Sequence, residues 1–304
     1  MGEALAILSM TMFALTNIAI LRGHDGKSRS SGAFLSMIIT FLMSTLIWLI
    51  MVLRNGWPEL NATAVAWFAL GGFLTIYVGR VLLYASIQHL GAIKASAVKR
   101  LNPFFSVLLA VLILGERISL PMMIGMFLIV MSFTVLVRQA LFVSNQAGLG
   151  AEKQNAFDRL LNLGYLFGPV SAFAYAAGYI ARKQGMIVLP DSALGTMIGA
   201  FTGIVFFLIT STFVNSYRED LRKTFSVFNK WFLMAGCLST FGQIAYFTAL
   251  NFIGITKIAL ITSMEVFMTM ILSAVVFQSR EKLSADIMIA AGLGFLGTVF
   301  VIAF

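Results

Sequence analysis

The sequence predicts an all-α membrane protein: ten transmembrane helices arranged as two inverted five-helix repeats. Three observations lead there. The 304 residues are 60% hydrophobic and only 11% charged, with a mean hydropathy of +0.94, whereas a soluble domain carries about 25% charged residues. Ten apolar runs follow one another along the chain, each long enough to cross about 30 Å of hydrocarbon, which takes about 20 helical residues. The two halves also resemble each other in the order of their polar residues. This composition excludes a soluble enzyme, a disordered chain and a disulfide scaffold.

The runs fall at 4–21, 31–53, 64–88, 91–114 and 120–137, then at 161–181, 191–213, 229–251, 254–277 and 284–303. Helices are required because hydrocarbon offers no partner to open strand edges, and the weak alternation of a transmembrane barrel is missing. The N-terminal run reads as the first membrane helix, since Glu3 stands where a signal peptide would be basic. Residues 138–160 form the longest polar stretch between spans. They divide the chain into a first repeat (1–137), a polar linker (138–160) and a second repeat (161–304). The next longest polar stretch, 214–228, holds Arg218, Glu219, Asp220, Arg222 and Lys223.

An offset of 163 residues places Gly91 on Gly254, Gly79 on Gly242, Lys94 on Lys257 and Asn102 on Glu265. With five spans in each repeat, the second half must enter the membrane from the opposite side, as in many secondary transporters.

The spans carry polar residues that lipid would penalise. In the third, Tyr77, Arg80, Tyr84 and Gln88 follow i, i+3, i+7 and i+11, which is one stripe of a regular helix. Gln243 belongs to the corresponding stripe of the eighth span. An arginine in mid-membrane costs about 2.5–3.5 kcal/mol on an insertion scale, so Arg80 must face the bundle interior or water. The fourth span begins with Lys94, Lys99 and Arg100, followed by Asn102 and Pro103. Lys99, Asn102 and Ser106 share a face, and Pro103 is expected to break or kink the helix and shape a gate. Glu265 lies near the middle of the ninth span, where a carboxylate is protonated, paired or coupled to transport. Arg80, Lys99 and Arg100 are its candidate partners. Ser171, Tyr175 and Tyr179 share a face of the sixth span, and Tyr246 joins them as candidate lining of an amphipathic pocket. In the first span Thr16 and Asn17 are modestly polar.

Cations outnumber Glu265 in this set, so a carboxylate or phosphate is favoured over a pure cation; the arginine fork suits both. The expected function is therefore a secondary transporter moving a small anionic or zwitterionic metabolite (an amino acid, organic acid or phosphorylated compound) by alternating access. The proposed substrate-binding set is Tyr77, Arg80, Tyr84, Lys99, Arg100, Asn102, Gln243 and Glu265. The alternative is a flippase or translocator of an anionic lipid. No nucleophile–base pair, nucleotide-binding loop or metal-ligand cluster is written into the sequence. No enzyme activity, cofactor, metal site or nucleic-acid partner is expected, and Cys237 reads as a packing residue. Membrane lipids and a coupling proton or ion are the other expected partners, and the chain is expected as a monomer or a homodimer.

The residues from Leu83 to Val137 resemble the drug/metabolite transporter superfamily, in its ten-helix EamA-type branch. The resemblance lies in the turn His89–Leu90–Gly91, the pair Asn102–Pro103, the run Leu112–Ile113–Leu114–Gly115–Glu116–Arg117–Ile118, and Gly125. Residues Ala249 to Val301 repeat the plan less faithfully, and the general layout covers essentially the whole chain. The resemblance implies two inverted five-helix repeats around a cavity formed by spans one, three, four, six, eight and nine. It also implies metabolite transport in a plasma (inner) membrane. Asn102 stands where the family often has an acidic residue, and Val266 replaces the second-half proline. Twelve lysines and arginines in the loops of one side against four on the other favour both termini outside the cytoplasm.

Overall fold

A computed structural model describes residues 1–24, 32–90, 95, 98–99, 101–114, 120–146, 166–226, 229–253, 258, 261–262, 264–272 and 285–303. Every regular element among them is helical: α1 Gly2–Gly23, α2 Ala33–Asn55, α3 Ala62–Leu90, α4 Leu101–Leu114, α5 Leu120–Gln146, α6 Phe167–Val188, α7 Ser192–Phe213, α8 Asn215–Ser226, α9 Lys230–Ala249, α10 Glu265–Ile271 and α11 Ala285–Ala303. Of these, α1, α2, α3, α7 and α9 are each long and apolar enough to cross a membrane. The protein is an all-helical membrane-spanning chain.

Its solvent pattern is that of a membrane protein. Leu42, Leu46, Leu53, Phe127 and Phe213 face outward, while Ser9, Asn17, Ser36, Thr40, Thr75, Ser171 and Thr240 are buried between helices. A surface so apolar would aggregate in water. In lipid it is the natural exterior, and the polar groups turn inward to find partners.

The helices start where the sequence supplies caps. Asn61 accepts from the Thr63 and Ala64 N–H groups at the start of α3, Asp191 accepts from Leu194 at α7, and Asn229 accepts from Trp231 at α9. Asn229 also donates to the Gly23 carbonyl (2.8 Å), tying the end of α1 to the start of α9. Arg218 of α8 donates to the Ser211 and Thr212 carbonyls, closing the C-terminal end of α7. The polar stretch 214–228 is thus largely helix α8. The fifth helix continues through Arg138 to Gln146, into the segment expected as linker.

Helices of the first half pack on helices of the second: α1 on α9, α2 on α7, α3 on α6, and α5 on α11. Small residues set these contacts. A Cβ on Gly72 would lie 2.1 Å from Gly199 Cα, so α3 and α7 touch backbone to backbone. Ser9 of α1 donates to the Gly242 carbonyl (2.8 Å), and Ser171 of α6 donates to the Gly79 carbonyl (2.7 Å).

One element departs from regular helix. Residues Phe73–Gly79 within α3 form a π-helical segment, in which the Arg80 N–H reaches back five residues to Thr75 O.

A candidate anion site between the halves

The centre of the bundle holds a buried ion pair. Glu265, 8% exposed, opens α10. Just ahead of it the Met264 N–H reaches back three residues to the Ile261 carbonyl (3.1 Å), so the backbone tightens here with no proline to force it. Lys99 Nζ lies 3.3 Å from Glu265 Oε1 and 3.2 Å from Oε2. Asn17 of α1 donates its Nδ2–H to the same Oε1 at 2.7 Å. The ammonium also sits over the rings of Phe13 (5.1 Å) and Tyr175 (5.4 Å), and such faces stabilise a cation most where water is excluded. Three helices and the residues before α4 therefore converge on one carboxylate.

Arg80 is 1% exposed and held by a different neighbour. Its Nη1 donates to the Ser36 carbonyl and hydroxyl (3.1 Å each) and to Thr40 Oγ1 (2.8 Å), all on α2. Thr40 in turn lies 3.1 Å from the Thr240 hydroxyl of α9. Among the described residues the Nε and Nη2 of Arg80 have no acceptor in hydrogen-bond geometry, while the Tyr175 hydroxyl lies close enough to interact with the guanidinium. These two N–H groups lie on one edge of the guanidinium, the edge that accepts a carboxylate in bidentate fashion.

The predicted residues thus separate into groups. Lys99 and Glu265 meet, and among the described candidates for Glu265 the ion pair selects Lys99. Arg80 is anchored on α2. Tyr84 is buried with Ile18, Ile87 and Tyr175, its hydroxyl near Ser36, and neither that hydroxyl nor the buried Gln243 Oε1 has a partner in hydrogen-bond geometry among the described residues. Asn102 accepts from Ser106 of its own helix (3.2 Å). Tyr77 turns away: its hydroxyl bonds the Thr210 hydroxyl of α7, and its ring packs on Phe73 and Phe206. The reason is the π segment, which contains Tyr77 and shifts its phase against Arg80. A stripe drawn at 3.6 residues per turn does not survive it. Pro103 falls in the first turn of the described α4, and Arg100, with Lys94 and Lys257, lies outside the described residues.

Two participants went unread in the sequence. Asn17 looked like an ordinary polar residue, and only the packing of α1 on α10 reveals its partner. Arg182, one of the four cations on the less basic side, lies inside α6 and is 1% exposed. Its signal was the spacing from Tyr175 and Tyr179, which puts all three on one face.

A family model for EamA-like transporters matches residues 1–138 and 162–303. The chain belongs to the EamA-like transporter family. That is a family of small-molecule transporters, not of enzymes. A protein of known crystal structure superimposes with a TM-score of 0.59 over 99% of this chain and 98% of its own length, at 14% sequence identity. That likeness speaks for the fold alone. No functionally curated protein matches the sequence. In this EamA-like chain the buried polar set above stands between helices of the two matched segments.

Proposed function

We propose that the chain is a secondary transporter that moves a small anionic or zwitterionic metabolite by alternating access, in a plasma (inner) membrane. The observation that carries this reading is the sign of the buried charge. Lys99 and Glu265 neutralise each other, while among the described residues Arg80 has no carboxylate beside it and keeps two N–H groups without an acceptor in hydrogen-bond geometry. An uncompensated buried cation costs several kcal/mol, and an anionic substrate removes that cost for as long as it is bound.

Glu265 is the exchangeable member. While ionised it occupies Lys99; when it takes a proton, Lys99 is released to the substrate anion. Asn17 holds the carboxylate in either state by its amide, and Arg80 receives the substrate's acidic group on its free edge. Tyr84 and Gln243 supply unpartnered polar atoms for the remainder. Tyr179 stacks on Tyr246 (centroids 4.7 Å, planes 21° apart) between α6 and α9, a layer that has to part for passage.

Ten spans in two inverted repeats form the framework of the reading. The pairings α1·α9 and α6·α3 are those that a twofold relating first-half helices to second-half counterparts would exchange, which supports the repeat reading. The same operation exchanges Ser9–Gly242 with Ser171–Gly79. Two halves so related rock about a shared centre.

The test is uptake by purified protein in vesicles, screened over amino acids, organic acids and sugar phosphates. An anion taken up by the unmodified chain, and lost with both Arg80→Ala and Glu265→Gln in folded protein, supports the reading. Undiminished uptake in both variants removes it.

A further inference from the structure

Arg182 is 1% exposed inside α6, and among the described residues none of its three guanidinium nitrogens has a hydrogen-bond partner. One face of the guanidinium covers the Phe247 ring at 4.4 Å, which leaves the N–H groups around its edge unsatisfied. The surroundings are built to admit it. A Cβ on Gly71 would come 2.4 Å from Arg182 Cγ, and one on Gly199 would come 2.8 Å from Nη2. Two glycines on two different helices therefore clear the space that the side chain fills.

Arg182 also belongs to the centre of the bundle. Side chains on a helix lean toward its N-terminus, which directs Arg182 back toward Tyr179 and Tyr175. Tyr175 lies within electrostatic reach of Arg80, Arg182 and Glu265, closest to Arg80, and the two arginines are within reach of each other. Tyr175 packs beside Gly79, the residue before Arg80, and carries the Lys99 ammonium over its ring. Among the described residues Lys99 and Glu265 cancel, which leaves the two guanidinium groups as buried cations with no carboxylate paired to either. At the other end, one turn past Arg182 and Phe247, Lys183, Met186, Leu250 and Asn251 line an open cavity of about 470 Å³.

We propose that Arg182 is a second anion-binding group, and that the chain takes a substrate with two separated acidic groups, one on Arg80 and one on Arg182. This rests on the reading of the chain as an anion transporter and narrows its substrate class. A single acidic group satisfies one guanidinium and leaves the other buried and bare. A dicarboxylate neutralises both, and its spacer lies along the Tyr175 ring.

The experiment measures binding, separately from transport. Full-length protein in lipid nanodiscs is titrated calorimetrically with dicarboxylates from malonate to adipate, and with monocarboxylates of the same carbon number. At least one diacid binds tenfold or more tightly than its monoacid. In Arg182→Gln that ratio falls at least tenfold, and Arg182→Lys restores part of it. A merely structural arginine would weaken both ligands together and leave the ratio unchanged. Should Arg182→Gln not fold, 15N-arginine spectra of the unmodified protein serve instead, with the diacid shifting two Nε–H resonances and the monoacid one. Equal affinity for diacids and monoacids, or an unchanged ratio in Arg182→Gln, overturns the second site and leaves an anion transporter standing. Diacid binding that needs Arg182, with no acid carried across vesicles, keeps the site and removes the transport reading.

Discussion

Asn17 and Glu265 stand 248 residues apart in the chain and meet through a 2.7 Å hydrogen bond in the middle of the bundle. The amide cannot ionise, so it holds the carboxylate without deciding its charge. Lys99, at 3.2 Å on the other side, responds to that charge. One residue fixes position and the other senses state, a division suited to a group that must change protonation without losing its place.

Breaking the ion pair from one side leaves a buried charge alone. Lys99→Met is expected to lower stability by about 3–5 kcal/mol, the usual cost of removing one partner of a buried pair. The double variant Lys99→Met/Glu265→Gln, which removes both charges, recovers most of that stability in thermal unfolding while still failing to transport. A double variant as unstable as the single one would show that the pair's charges do not depend on each other.

Coupling gives a second expectation. If Glu265 exchanges Lys99 for a proton as proposed, uptake by the unmodified chain in vesicles responds to a pH gradient. Glu265→Gln is expected to make any residual uptake indifferent to the gradient. A gradient response that persists in Glu265→Gln places the coupling elsewhere.

Thr40 joins Arg80 on one side to Thr240 on the other. Thr40→Val keeps the shape and removes the hydroxyl, a charge-assisted hydrogen bond worth about 1.5–3 kcal/mol. The expected result is a raised KM with a smaller change in the maximal rate, since Arg80 loses its aim rather than its charge. Initial rates over a range of substrate concentration decide it.

Ser9→Ala and Ser171→Ala remove matching hydrogen bonds in the two halves. Each should cost about 1 kcal/mol, and because the sites are independent the losses should add in the double variant. Markedly unequal losses would speak against an equivalent role in two related repeats.

Gly72→Ala tests the closest approach of α3 and α7. The added methyl has nowhere to go but into the Gly199 backbone. The helices must separate, at an expected cost of about 1–3 kcal/mol for overpacking, seen as a lower unfolding temperature.

The membrane character of the chain was legible in its composition, and Glu265 and Arg80 were legible as charges that lipid would not tolerate. Lys99 was one of three named partners for Glu265; choosing it took tertiary packing, which no spacing rule encodes. Tyr77 was misdirected because periodicity assumes an unbroken α-helix, and nothing in Phe73–Gly79 announces a π turn. Arg182 escaped because a cation near the end of an apolar run ordinarily reaches for the interface. Here two glycines on neighbouring helices hold open a place for it inside. Asn17 had only its polarity to offer, and that became informative once α1 and α10 were seen side by side.

The π turn in α3 amounts to a single surplus residue. Wound as ordinary α-helix, the same residues Phe73–Gly79 would swing everything on one side of them by about 100° around the axis. Gly71 and Gly72, which seat the helix on α6 and α7, lie on one side; Arg80 lies on the other. The extra residue therefore works as an adjustable joint in a rod: it lets one end stay bolted to its neighbours while the other is dialled to a different bearing.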